Sequence, residues 1–256
     1  MTHTILRSVL GQLKQHITFW LIFGPPVCGK STLGSIVHGY LAARGTALLD
    51  MSDIIRSHLS APTDLTPHFL EAKRLCDEGK LVPDGPIIKA LGRAVIESYE
   101  KRKFTRCIVI GFPRTEPQLR ELLSTGIRFK FFSVQLELDE ALRRLHQRSV
   151  NEGRVRPDDA KIADRYAMFK NSSLLVHSHV RRHYGELTKI IDGTAPLRKK
   201  VVDVIRNLDL NGEYAAVMKE LNDPQHPVTK RIDEIDGVRR TFTPPKSRTT
   251  LVRAGA

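Results

Sequence analysis

Nine residues constrain this chain more than any others: Gly24-Pro25-Pro26-Val27-Cys28-Gly29-Lys30-Ser31-Thr32. They follow directly on the apolar run Ile17-Thr18-Phe19-Trp20-Leu21-Ile22-Phe23 and fit G-x-x-x-x-G-K-[ST]. An apolar run, a glycine loop and a helix start in that order build a phosphate cradle. The loop's N–H groups point inward, Lys30 reaches the outer phosphates, and Ser31 can offer its hydroxyl to a divalent cation. The helix that follows adds its positive end. A plain turn with a solvated lysine is the competing reading, and the strand-to-helix setting argues against it.

The chain has 256 residues with 41% hydrophobic content, enough for one large domain with a real core. Cys28, Cys76 and Cys107 are odd in number and scattered, with neither a disulfide framework nor a C-x-x-C zinc spacing. A reducing, cytoplasmic setting is expected. No apolar run approaches the roughly 20 residues needed to cross a bilayer. No acidic residue precedes Asp50, so residues 1–16 have the charge of a targeting peptide, but the strand starting at Ile17 leaves little room for a removable one. The net charge of +13 calls for anionic partners. Most of the excess precedes Asp209, in the body that holds the cradle. That favours bound phosphates over a separate nucleic-acid arm, with RNA as a lesser alternative.

Short apolar runs alternate with helical stretches. Strands are expected at Ile17–Phe23, Thr46–Asp50, Arg106–Ile110, Phe129–Leu138 and Leu187–Asp192. Helices are expected to begin near Lys30, Ser52, Pro67, Asp84, Glu116, Asp139, Asp158 and Pro196. This order predicts an α/β fold, a five-stranded parallel sheet with helices on both faces. Gly24, Asp50, Gly111 and Asp192-Gly193 then fall at strand ends facing one cleft, where such sheets bind ligands. From Asn211 the chain changes character. Only Tyr214–Leu221 reads as helical, and residues 209–256 read as a tail, partly disordered or draped over the body.

Further segments extend the pattern: Asp53-Ile54-Ile55-Arg56, Gly79-Lys80-Leu81-Val82-Pro83-Asp84, Gly111-Phe112-Pro113-Arg114 through Gln118, Gly153-Arg154-Val155-Arg156-Pro157-Asp158-Asp159, and Asp192-Gly193-Thr194-Ala195-Pro196. With the cradle they resemble, in family order over about residues 17–208, the adenylate kinase family of nucleoside monophosphate kinases. The resemblance implies a P-loop NTPase fold behind an N-terminal extension, 1–16. It places an NMP-binding insertion at about 51–83 and a short lid at about 149–158, both closing on substrate. Only nine residues separate Arg148 from Asp158, with no cysteine among them, which excludes the long zinc-bearing lid. The implied activity is transfer of the ATP γ-phosphate to a nucleoside monophosphate, with Mg2+ as cofactor and no zinc. The implied partners are small-molecule nucleotides, with no membrane and the chain as a monomer.

Transfer between two polyphosphates needs many permanent cations on parts that can close. Arginine suits this because its planar fork pairs bidentately with phosphate. The resemblance implies an ATP site from Gly24, Val27, Cys28, Gly29, Lys30, Ser31, Thr32, Arg144, Arg148 and Ala195. Arg144 and Arg148 share one helix face, which alone could equally be a solvated basic face. The implied acceptor site comprises Met51, Arg56, Lys80, Leu81, Val82, Gly111, Arg114, Gln118, Arg156 and Arg165. Lys30, Arg114, Arg148, Arg156 and Arg165 are the implied catalytic cations. Gln118 offers an amide that can pair with adenine, which favours AMP. Ser31 and Asp53 are the implied Mg2+ ligands.

Three residues depart from the family pattern. Val27 stands where glycine is usual, and a β-branched residue resists positive φ. Ile110 stands where the family has the strand-end aspartate that holds Mg2+. Met51 replaces a small hydroxyl residue facing the acceptor base. These departures keep a second class open, a nucleotide-binding protein with weak or lost transfer that acts through a protein or RNA partner. Removal of the tail beyond Asn211 is expected to leave turnover intact.

Overall fold

A computed structural model describes residues 5–11, 13, 15–61, 63–77, 83–151, 159–210 and 212–241. In chain order the elements are α1 (Ile5–Leu10), β1 (Thr18–Phe23), α2 (Lys30–Leu41), β2 (Thr46–Asp50), α3 (Met51–Ser60), α4 (Thr66–Asp77), α5 (Asp84–Lys101), β3 (Arg106–Ile110), α6 (Glu116–Ser124), β4 (Arg128–Gln135), α7 (Leu138–Asn151), α8 (Asp159–Met168), α9 (Leu174–His183), β5 (Thr188–Asp192), α10 (Leu197–Arg206), α11 (Tyr214–Asn222) and α12 (Pro227–Thr241). A π turn, Phe169–Ser173, joins α8 to α9 without a break.

The strands form one sheet in the order β2-β3-β1-β4-β5, and every pairing is parallel. This is the five-stranded parallel α/β architecture expected of a P-loop NTPase. The central strands β1 and β3 are apolar on both faces because both are covered, whereas the edge strand β5 exposes Lys189 and Ile190. Along β1, Phe19, Leu21 and Phe23 enter one core layer while Trp20 and Ile22 enter the other. On the first face lie α1, α3, α5, α6 and α9. The second is covered by α2 and α10, with α11 and α12 outside them.

Strand and helix starts fall within one or two residues of the expected positions, and the described parts of both terminal segments pack on the body. Within the segment read as an extension, Leu6 and Leu10 are fully buried, and α1 packs on α5 and α6. The spacing i, i+4 puts both leucines on one face. Within the segment read as a tail there are two helices, not one, and both pack on α2 and the body. Val217, Leu221 and Ile232 are fully buried. The Tyr40 and Thr229 hydroxyls hydrogen-bond at 2.7 Å, and Arg106 donates to Glu213 at 2.7 Å. Asp236 on α12 accepts from the backbone N–H groups of Leu197 and Arg198, at 2.7 and 3.1 Å, capping α10. Among the described residues no helix is long and apolar enough to cross a membrane.

Candidate functional site

β1 delivers the glycine loop to the carboxyl edge of the sheet, and the loop turns directly into α2. Gly24 is required by close approach, since a Cβ there would lie 2.7 Å from both the Val134 carbonyl oxygen and Cys28 Sγ. Gly29 takes φ 87° at the N-cap of α2. Val27 has φ 61°, and it is the one non-glycine residue at positive φ among those described. The loop therefore keeps a left-handed turn at this position even with a β-branched residue, at a cost of about 1–2 kcal/mol. Cys28 is buried beneath the loop, and Thr32 is half-buried in the first turn of α2.

Lys30 folds back so that Nζ donates to the Pro25 carbonyl at 3.1 Å. It lines a cavity with Arg114 and Arg165, floored by Gly24, Gly111 and Phe169. Burial pushes the Lys30 ammonium below its ordinary value, and Arg114 and Arg165 push it the same way, while Cys28 and Asp50 oppose them. Three cations drawn toward one cavity are mutually repulsive unless an anion joins them.

Arg114 is positioned by a polar network behind it. Its backbone N–H donates to Gln118 Oε1 at 2.8 Å, and its Nε donates to the Gly111 carbonyl at 2.9 Å. Gln118 is almost wholly buried, and its Nε2 donates to Asp84 Oδ1, which also accepts from Thr115 Oγ1, both at 2.7 Å. Ser173, in the π turn, donates to the Arg114 carbonyl at 3.0 Å. Such turns inside helices often mark functional sites. Met51, at the start of α3, is buried beside Gly111.

At the other end of the sheet Arg144 on α7 is held from two sides. Its Nε donates to Glu140 at 2.6 Å and its Nη2 to the Gly193 carbonyl at 2.8 Å. Lys200 Nζ donates to the same carbonyl at 3.1 Å. Arg143, and after it Arg144, hold the Glu140 carboxyl down at about 2. Ala195 is buried in the same turn, two residues beyond the Gly193 carbonyl that Arg144 engages.

The structure thus gathers Gly24, Gly29, Lys30, Gly111, Arg114 and Arg165, and separately Arg144 with Ala195. It does not bring Asp53 to the loop. Asp53 is exposed on α3 and pairs with the equally exposed Arg56 three residues on. Asp50 stands there instead, with Ser31 Oγ donating to its Oδ2 at 2.6 Å. The two hard oxygens beside a phosphate loop are a donor set that fits Mg2+, which takes few protein ligands and completes its shell with phosphate and water. Arg148 lies in α7 but its side chain is outside the described residues, as are Lys80, Leu81, Val82, Arg154 and Arg156.

Sequence reasoning set Asp50 at a strand end facing the cleft but gave it no ligand role, and it missed Asp84 and Ser173 as site residues. Asp50 carried a signal, being the first acidic residue of the chain and the last of its strand. Asp84 sits beside Pro83 at a helix start, which suggests a dipole role before a buried network. Nothing in the sequence marked Ser173.

No protein-family model matches the chain. It is 30% identical to the adenylate kinase of Pseudarthrobacter chlorophenolicus over 187 residues, covering 71% of this chain and 91% of that one. The adenylate kinase of Renibacterium salmoninarum is 32% identical over 158 residues, 60% of this chain and 77% of the relative. That of Maricaulis maris is 27% identical over 207 residues, 78% and 98% respectively.

Proposed function

The chain belongs to the adenylate kinase family, and from that premise we propose that it moves the γ-phosphoryl group of ATP to a nucleoside monophosphate, with AMP as acceptor (ATP + AMP = 2 ADP). The observation that carries this reading is the convergence of Lys30 from α2, Arg114 from the β3–α6 loop and Arg165 from α8 on one cavity. Phosphoryl transfer asks a protein for positioning and charge stabilisation rather than covalent chemistry. A site for one nucleotide has no need of a cation at the end of β3 and another on α8 aimed at the same cavity.

In this reading the loop N–H groups of 24–32 hold the ATP phosphates, and Lys30 leaves the Pro25 carbonyl for the outer ones. Arg144, fixed by Glu140, lies against the adenine near Ala195. Arg114 and Arg56 take the acceptor phosphate, and Arg148, Arg156 and Arg165 close over the transferring group. Ser31 would hold Mg2+, which would supply positive charge to offset that of the phosphates. Segment 51–83 supplies Met51, Lys80, Leu81 and Val82 around the acceptor base, and segment 149–158 is the short lid that excludes water. Gln118 spends its oxygen on Arg114 and one N–H on Asp84. One N–H and one lone pair remain for the adenine edge. The reading fits a monomeric cytoplasmic enzyme whose partners are small nucleotides.

A second reading, nucleotide binding with little transfer, is favoured by Ile110, which is buried where the family keeps its metal-holding acid. A coupled ADP-formation assay with Mg2+-ATP and AMP, CMP, UMP or GMP separates the two. Turnover, highest with AMP, is expected. ATP binding without turnover on any acceptor would sink the kinase reading. A bisubstrate dinucleotide should also bind, because it spans two facing sites.

A further inference from the structure

Ile110 and Asp50 are register partners on adjacent parallel strands. Neighbouring strands lie about 4.8 Å apart, so an acid missing from the end of β3 has a counterpart one strand over, at the end of β2. We propose that Asp50, with Ser31, is the cation-holding carboxylate of this chain, relocated from β3 to β2. The proposal rests on the phosphate-loop reading above and adds to it the residue that holds the metal.

Several features carry it. Asp50 is only 8% exposed, yet its partner Ser31 is exposed at the mouth of the loop, so the pair is reachable from the phosphate side. Ser31 donates its proton to Asp50 Oδ2, which leaves the hydroxyl lone pairs turned away from the carboxylate and available to a cation. P-loop enzymes hold Mg2+ with this pairing of loop hydroxyl and strand-end aspartate. Asp50 Oδ1 accepts from the Ser52 backbone N–H at 2.8 Å, capping α3 and fixing the carboxylate plane. Position 110 cannot share the task. The Ile110 side chain fills the space over Gly34 of α2, where an added Cβ would lie 2.4 Å from Ile110 Cδ1. Asp53 points to solvent with Arg56.

The test uses Asp50→Asn, because asparagine keeps the α3 cap and removes only the charge, with Asp53→Asn as comparison. Mn2+ is titrated into the full-length protein with ADP bound and followed by electron paramagnetic resonance. Calorimetry with ATP in chelator measures metal-free nucleotide affinity, and thermal melting checks the fold. Asp50→Asn should weaken Mn2+ by about 10- to 100-fold while metal-free ATP affinity and melting hold. Asp53→Asn should leave Mn2+ within about twofold, well short of that loss. Unchanged Mn2+ affinity in Asp50→Asn with ATP still bound overturns the assignment alone. A wild-type chain that binds no ATP overturns the parent reading, and this one with it.

Discussion

Asp236→Ala tests whether the C-terminal helices are integral to the nucleotide-binding body. The carboxylate is 7% exposed and accepts from the first two N–H groups of α10. Both donors are otherwise orphans of a helix start. Loss of a cap costs about 1 kcal/mol, and a hydrogen bond to a charged acceptor contributes about 1.5–3 kcal/mol. These overlap rather than add, so the expected loss is about 2–4 kcal/mol. For a chain of this size that lowers the melting temperature by about 5–15 °C. Urea denaturation followed by the fluorescence of Trp20, the one tryptophan and 2% exposed, reads it directly. Asp233→Ala is the control. That carboxylate is exposed and meets Arg198 at 3.1 Å, so its loss should cost less than about 1 kcal/mol. An Asp236→Ala chain as stable as the Asp233→Ala control would refute the cap. The same packing reverses the expectation that truncation after Asn211 is harmless, because it would strip both helices from α2.

Other outcomes follow from the site. Lys30→Met should cut turnover by at least about 100-fold, the scale of losing one positioned transition-state donor, in the coupled assay. Its melting temperature should not fall, since the change removes a partly buried cation that Arg114 and Arg165 repel. Val27→Gly should leave stability unchanged or raise it by up to about 1.5 kcal/mol, since about 1–2 kcal/mol of left-handed strain is relieved against about 0.4–1 kcal/mol of added chain entropy. A clear loss in urea titration would contradict the strain. His177 stacks on Phe23 and Phe131, and burial, then Arg181, holds its imidazole below the ordinary 6.5. The unfolded chain therefore binds a proton below pH 6.5 that the folded chain refuses, and stability falls as pH drops until the folded value is passed. His177→Leu should flatten that limb in melts from pH 7 to 5, leaving a remainder to which His38, shifted the same way, contributes.

The sheet was legible because β1, β2 and β3 are apolar runs ended by a glycine or an aspartate, and parallel strands buried on both faces leave that pattern. The loop was legible because its chemistry fixes its spacing. What escaped was whatever depends on neighbours across the fold. α12 buries Thr229 and Ile232 and packs the half-buried Val228 and Ile235 beside them at helical spacing, but charges and neighbouring prolines hide that pattern in the sequence. Its seat is made elsewhere, at Gly39 of α2, where a Cβ would come within 2.9 Å of Val228. Asp53 sits within a familiar motif along the chain, and that motif draws attention from Asp50. The register that places Asp50 beside Ile110 belongs to the sheet and is invisible to spacing.

The same helix explains why a carboxylate is better tolerated at 50 than it would be at 110. α2 approaches β3 closely through Gly34, and Ile22 and Ile110 close that layer against it. A carboxylate at 110 would replace the apolar contact over Gly34 and would need charged or hydrogen-bonding partners there to offset desolvation. At 50, on the edge strand, the carboxylate already has two donors, the Ser31 hydroxyl and the Ser52 backbone N–H. The charge near the loop is kept while the layer over α2 becomes wholly apolar. An Ile110→Asp substitution in this background is therefore expected to destabilise by about 3 kcal/mol or more, the scale of an uncompensated buried charge. Equal stability in urea titration would mean that the space over Gly34 is not the dry layer its packing implies.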